Sequence, residues 1–274
     1  MRIAVIGHVE HITLGRVPAV PRAGEIAHLE APRHFPGGGG GVAFFQLTRC
    51  PAEVLLLTAL GNDEAAAEVQ RWLSATRAAV HAARRELSQT RDVVMITPDG
   101  ERTIVVVGEP LHPSRSDPLP WGELASCDAA YFTAQDPAAL QAARAARLLV
   151  VSARRRKALN ASGVRADVVV GSALDAREAC ALADFDLAPA ALVLTEGAAG
   201  GAVHDASGAR RFRAPPSPAQ AGGSYGAGDS FAGALTWYLA AGVPVLEACE
   251  RAGRNGAAVL GALDPLQAQI APLA

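Results

Sequence analysis

Four residues near the C-terminal end, Gly226-Ala227-Gly228-Asp229, have the types and spacing for phosphate chemistry. The two glycines let backbone approach a ligand closely, and the run that follows, Phe231, Ala234, Leu235, Trp237, Tyr238 and Leu239, is apolar and helix-compatible. A tight turn opening a helix points unpaired N–H groups and the positive end of the helix dipole at an incoming anion. Asp229 can cap that helix, or stand beside a bound phosphate and take a proton. A bare Gly-x-Gly-Asp favours the cap.

The rest of the chain supplies elements that can position this turn. Ile3–Ile6 reads as a buried strand of a parallel sheet, closed by Gly7. His8, Glu10 and His11 leave it where doubly wound sheets bind ligands, so a substrate role and a solvated loop are evenly balanced on position. Residues 12–35 are broken by Pro18, Pro21 and Pro32, and predict short extended pieces rather than a helix. Gly37-Gly38-Gly39-Gly40-Gly41 precede the helical pattern from Val42 to Leu47. Such a run is a flexible linker or a place where ligand meets backbone, and the helix that follows favours the second.

Val54–Leu60 predicts another strand, joined by a plain Gly61-Asn62-Asp63 turn to a helix over about Glu64–Leu73. Asp92–Val107 predicts a hairpin about the turn Thr97-Pro98-Asp99-Gly100. Strand and helix then alternate: Ala129–Phe132, a helix over about Pro137–Arg147, Leu148–Val151, Val168–Val170 and Ala191–Leu194, with a small-residue helix over about Leu246–Leu260. The basic run Arg154-Arg155-Arg156-Lys157 suits a solvated face, and its place after a strand keeps open a role for Arg154 in binding an anionic substrate group.

Composition narrows the classes. At 274 residues, half of them hydrophobic, the chain has ample apolar material for one large α/β domain. A formal charge of −2 gives no electrostatic footprint for nucleic acid or an anionic membrane. Lys157 is the single lysine, which excludes a phosphate-binding lysine elsewhere. Cys50, Cys127, Cys180 and Cys249 are widely spaced, which argues against a disulfide framework or zinc site and for a reducing cytoplasm. The N-terminal apolar run is too short for a signal peptide or a membrane span.

Gly226-Ala227-Gly228-Asp229-Ser230-Phe231, followed by Ala232-Gly233-Ala234-Leu235, resembles the C-terminal signature of the ribokinase family of sugar and nucleoside kinases, also called the phosphofructokinase B family. The resemblance implies that Gly226, Ala227 and Gly228 form an anion hole for the transferring phosphoryl group and that Asp229 is the base for the acceptor hydroxyl. Thr195-Glu196-Gly197 and Gly200 resemble the family's ATP-phosphate segment, and Asn255 falls near its adenine pocket. Gly37 and Gly38 take the places of paired sugar-binding glycines, with Glu10 as the candidate for the acceptor hydroxyls. Residues 12–35 and 90–108 correspond to the strands of a lid, from which Arg91 or Glu109 could face the acceptor.

The sequence also departs from the family. Gly39 and Val42 replace a lysine and an asparagine near the sugar, and Gly223 replaces an aspartate associated with potassium. Ser172 and Asp175 stand for the Asn-x-x-Glu that organises magnesium, leaving Asp175 to act through water. The expected fold is a single three-layer α/β/α ribokinase-like domain over residues 1–274, with a mostly parallel central sheet and a small β-sheet lid. The expected activity is phosphoryl transfer from ATP, with Mg2+, to a sugar-like or nucleoside-like small molecule, and a homodimer through the lid is left open. The alternative is a ribokinase-fold protein that binds a metabolite without turnover.

Overall fold

Alternation along Arg2–Ile6 (β1) decides the layering. Ile3 and Val5 pack on one side with Phe44, Leu47, Leu235 and Tyr238, while Ala4 and Ile6 pack on the other with Trp121, Leu124, Leu140 and Leu159. A strand buried on both faces needs helices on both, and it receives them. In the computed structural model, which describes residues 1–216 and 223–273, the elements after β1 run in this order. They are β2 (Glu10–Arg16), β3 (Glu30–Gly37), α1 (Gly38–Thr48), β4 (Glu53–Leu60), α2 (Glu64–Ser74), β5 (Ala79–Arg84), β6 (Arg91–Ile96) and β7 (Arg102–Val107). Next come β8 (Ala129–Phe132), α3 (Pro137–Ala143), β9 (Leu148–Ser152), α4 (Arg156–Ser162), β10 (Val168–Ser172), β11 (Ala191–Thr195), β12 (Gly201–Asp205) and β13 (Gly208–Phe212). The chain closes with α5 (Ala227–Ala240), α6 (Val245–Ala258) and α7 (Pro265–Ala268). Gly222 and the Ser217-Pro218 end of the proline-rich loop lie outside the described residues.

The large sheet has the order β13-β12-β11-β10-β9-β8-β1-β4-β5, parallel except for the hairpin β12–β13 at one edge. Strand order reverses at β1, with β4 on one side and β8 on the other, so a crevice opens at the carboxyl ends of β1 and β8. A second sheet, β3-β2-β6-β7, is the lid. Its inner face, with Ile12, Leu14, Phe35, Val94 and Ile96, packs on Val42, Tyr225 and Leu266.

The three-layer fold with a lid is the one expected, with local differences. The lid begins at Glu10 rather than at 12. α1 begins at Gly38 rather than at Val42, because the glycine run is its first turn. That turn lies against the exit of β1: a Cβ on Gly40 would stand 2.6 Å from the His8 carbonyl oxygen and 2.8 Å from Gly7 C. β5 carries no strong sequence signal, being a mostly half-exposed edge strand paired only with β4. α3 stops at Ala143, four residues short of expectation. The plain turn before α2 is as expected: Asp63 caps the helix by accepting the Ala66 N–H at 3.0 Å, and also pairs with Arg91.

Candidate active site

Helix α5 opens on Gly226, whose φ of +79° is the left-handed conformation glycine favours. No side chain caps this helix, so Asp229, in its first turn, is not spent on the backbone. Gly228 is exposed, and no atom of the described residues lies within 4 Å of where its Cβ would stand. Burial, and next the charge of Glu178, push Asp229 up to about 6, while Arg154, Arg102 and Arg155 pull the other way. At neutral pH the carboxylate is mostly ionised and poised as a proton acceptor.

The glycine run meets this turn from the other side. A Cβ on Gly39 would stand 3.2 Å from Asp229 Oδ1, 3.3 Å from Thr133 Oγ1 and 3.5 Å from His8 Cε1, so three side chains converge on a residue that has none. Gly38 N–H donates to the Tyr225 hydroxyl at 3.1 Å, and Gly39 N–H donates to His8 Nε2 at 3.2 Å. A Cβ on Gly37 would stand 2.5 Å from the Tyr225 hydroxyl. The glycines thus let α1, α5 and the lid close on one another.

Glu10 belongs to this group. It is 6% exposed, not in a solvated loop, and its Oε2 lies 3.0 Å from where a Gly38 Cβ would stand. Asp92, on β6 beside β2, is 4% exposed, and its Oδ1 has no hydrogen-bond partner among the described residues. Burial and then Asp92 push Glu10 well above the usual carboxylate range, and burial raises Asp92 as well, so protonation of this buried pair is favoured. Asp92 was missed in the sequence, where it is one polar residue in an alternating strand. His11 is turned away and pairs with Glu68 on α2 at 2.7 Å. Arg91, with its guanidinium on Asp63, also serves the lid rather than the pocket.

Parallel pairing aligns the ends of β11, β10, β9 and β8 along the same edge. Thr195 lies beside Ser172, and Ser152 beside Val170. Three of the residues expected here have partners within the fold. Asn255 is 1% exposed and its amide donates to the Ile270 carbonyl at 2.9 Å, so it braces the C-terminal segment. Gly200 is buried with its N–H on the Gly197 carbonyl, and a Cβ there would stand 2.9 Å from Ala214 N, so its smallness serves the hairpin. Asp175 faces Arg154. Arg154 Nη2 lies 2.6 Å from Asp175 Oδ2 and 2.6 Å from Glu178 Oε1, while Asp175 Oδ1 accepts the Arg177 N–H and Glu178 Oε2 the Ser172 N–H. All four carboxylate oxygens are engaged and the positive charge is already supplied, so the pair does not fit a magnesium site in this arrangement. Thr195 and exposed Gly197 remain reachable at the end of β11.

A family model described as pfkB family carbohydrate kinase matches residues 1–266. The chain belongs to the pfkB family of carbohydrate kinases. This pfkB-family chain has no sequence match among curated proteins. Its fold is similar to ribokinase from Giardia lamblia, with TM-score 0.80, 15% identity and coverage of 98% of this chain and 95% of that one. It is also similar to ribokinase from Cryptococcus neoformans in complex with ADP, with TM-score 0.76, 18% identity and coverage of 98% and 97%. Phosphofructokinase-2 from Escherichia coli gives TM-score 0.74, 16% identity and coverage of 97% and 96%. No helix among the described residues is long and apolar enough to cross a membrane.

Proposed function

We propose that this pfkB-family chain transfers the terminal phosphoryl group of ATP to a hydroxyl of a sugar-like or nucleoside-like small molecule. The observation that carries the reading is Asp229: an uncapped carboxylate at the open N-terminus of α5, beside Thr133 and the glycine run. In this reading the acceptor oxygen forms a bond to the γ-phosphorus as the bond to the β–γ bridging oxygen breaks, and the acceptor proton passes to Asp229. N–H groups of the Gly226–Gly228 turn receive the charge on the moving group, and the lid excludes water that would otherwise hydrolyse ATP. Glu10 and Asp92 bind acceptor hydroxyls, one carboxyl donating and the other accepting. Thr195 and Gly197 bind the nucleotide phosphates. Magnesium enters this reading only as the counter-ion that ATP brings, and no step is assigned to it.

The test is ADP release against a panel of sugars and nucleosides, with Asp229→Asn as the control. The variant should keep nucleotide binding and lose about 10²- to 10⁴-fold in kcat, the scale for a positioned general base. Wild-type turnover by Asp229→Asn would reduce Asp229 to a structural residue. One observation favours metabolite binding without turnover: Arg154 already satisfies Asp175 and Glu178. Under that reading an acceptor binds and no ADP appears.

A further inference from the structure

Two adjacent arginines after β9 have different surroundings. Arg154 is answered by Asp175 and Glu178, whereas Arg155 gives its Nε–H to the Thr133 carbonyl at 2.7 Å and has no carboxylate of the described residues within 4 Å. Residues 217–222, Ser-Pro-Ala-Gln-Ala-Gly, add no acidic side chain. Arg155 is partly buried; burial, and then the like charge of Arg154, lower it to about 10, so it is still charged at neutral pH. Glu10 and Glu178 offset its charge only at longer range and no carboxylate hydrogen-bonds it, so a ligand anion can supply the close partner that a desolvated guanidinium lacks.

Two imidazoles near Arg155 carry ring nitrogens with no well-formed hydrogen bond among the described residues. His8 is buried and its ring centroid is 4.8 Å from that of His112. Burial, with Arg155 contributing, holds both imidazoles below their usual range and therefore neutral. Because the Gly39 N–H donates to His8 Nε2, the proton of His8 sits on Nδ1, on the side of the Thr133 backbone, and neither nitrogen of His112 has a hydrogen-bond partner among the described residues. Thr133, which holds Arg155, is one of the residues converging with Asp229 on Gly39. These groups therefore adjoin the base, and they lie just after β1, β7, β8 and β9 rather than on β11, which carries Thr195 and leads to Gly197.

We propose that Arg155, with His8 and His112, is the anion-binding end of the acceptor site, so that the acceptor is a polyol or sugar carrying a carboxylate or phosphate group. Glu10 and Asp92 then take its hydroxyls. The word acceptor rests on the kinase reading above, but the binding claim does not.

The test is calorimetric binding to the nucleotide-free chain. Aldonic acids, uronic acids and sugar monophosphates are each measured beside the uncharged parent sugar. At least one charged ligand should bind about 10-fold or more tightly than its parent, and Arg155→Gln should weaken it about 10- to 100-fold, the scale of a charge-assisted pair, without affecting the parent. Arg155→Lys should restore part of the loss, and unchanged thermal unfolding of both variants separates this from misfolding. A response to acids or to phosphates identifies the group. If no charged ligand exceeds its parent, or Arg155→Gln binds it equally well, the proposal is overturned. It is also overturned if Arg155→Gln lowers kcat equally for charged and neutral acceptors, which would assign Arg155 to the moving phosphoryl group. Charged ligands that bind through Arg155 but are never phosphorylated would uphold the anion site and sink the kinase reading.

Discussion

The first turns of α1 and α5 meet at Gly39 and Asp229: a Cβ on Gly39 would stand 3.2 Å from Asp229 Oδ1. The neighbouring glycine is confined differently. A Cβ on Gly40 would meet backbone, 2.6 Å from the His8 carbonyl oxygen and 2.8 Å from Gly7 C, which cannot rotate away. Gly40→Ala should therefore cost about 1–3 kcal/mol or more and lower Tm by several degrees. Gly39→Ala should fold with nearly the wild-type Tm and instead displace Asp229, reducing kcat by about 10²-fold. Thermal unfolding and steady-state rates check the pair. A fully active Gly39→Ala would mean that the approach of the two turns is incidental.

A second expectation concerns pH. Asp229 acts as a base only when ionised, and burial followed by the Glu178 charge places its titration at about 6. The kcat/KM profile should rise with pH through about 6 and level above it. Glu178→Gln removes a raising charge and frees Arg154, so the acid limb should move to lower pH. Arg154→Met removes a lowering charge and should move it higher. Limbs that stay fixed in both variants would exclude Asp229 as the titrating group.

The buried pair Glu10 and Asp92 should be visible in stability. Both carboxyls are raised in the folded chain, so above about pH 4.5 the unfolded chain releases protons that the folded chain keeps. The unfolded state then binds fewer protons, and stability falls as pH rises from that point toward the raised folded values. Glu10→Gln should flatten the decline of Tm between pH 5 and 8, and a decline as steep as wild type would refute the raised proton affinity of Glu10. Because Gln resembles the protonated acid, it should perturb acceptor binding less than Glu10→Ala. The latter should raise acceptor KM about 10- to 100-fold with ATP KM unchanged, the scale for losing a buried hydrogen-bonding partner.

Local chemistry was legible in the residue order. Gly226 to Asp229, the lid hairpin around Thr97–Gly100 and the buried strands announce themselves by short-range spacing, because turns, helix starts and strand periodicity are decided by neighbours in the chain. The family follows from those same residues. What a side chain touches beyond its own element is decided only by packing. Asn255 occupies a plausible position in the sequence, yet its amide is consumed by Ile270. Arg154 and Arg155 are adjacent and chemically identical, and only the loop carrying Asp175 and Glu178 separates a guanidinium in close ion pairs from one with none among the described residues. Asp92 becomes a partner for Glu10 only because β6 pairs with β2 in the lid, a register that no local pattern contains. Sequence determines which groups are present and which bends the chain can make. Burial and charge proximity, which set proton affinity and leave a donor without an acceptor, exist only once distant segments share one low-dielectric space.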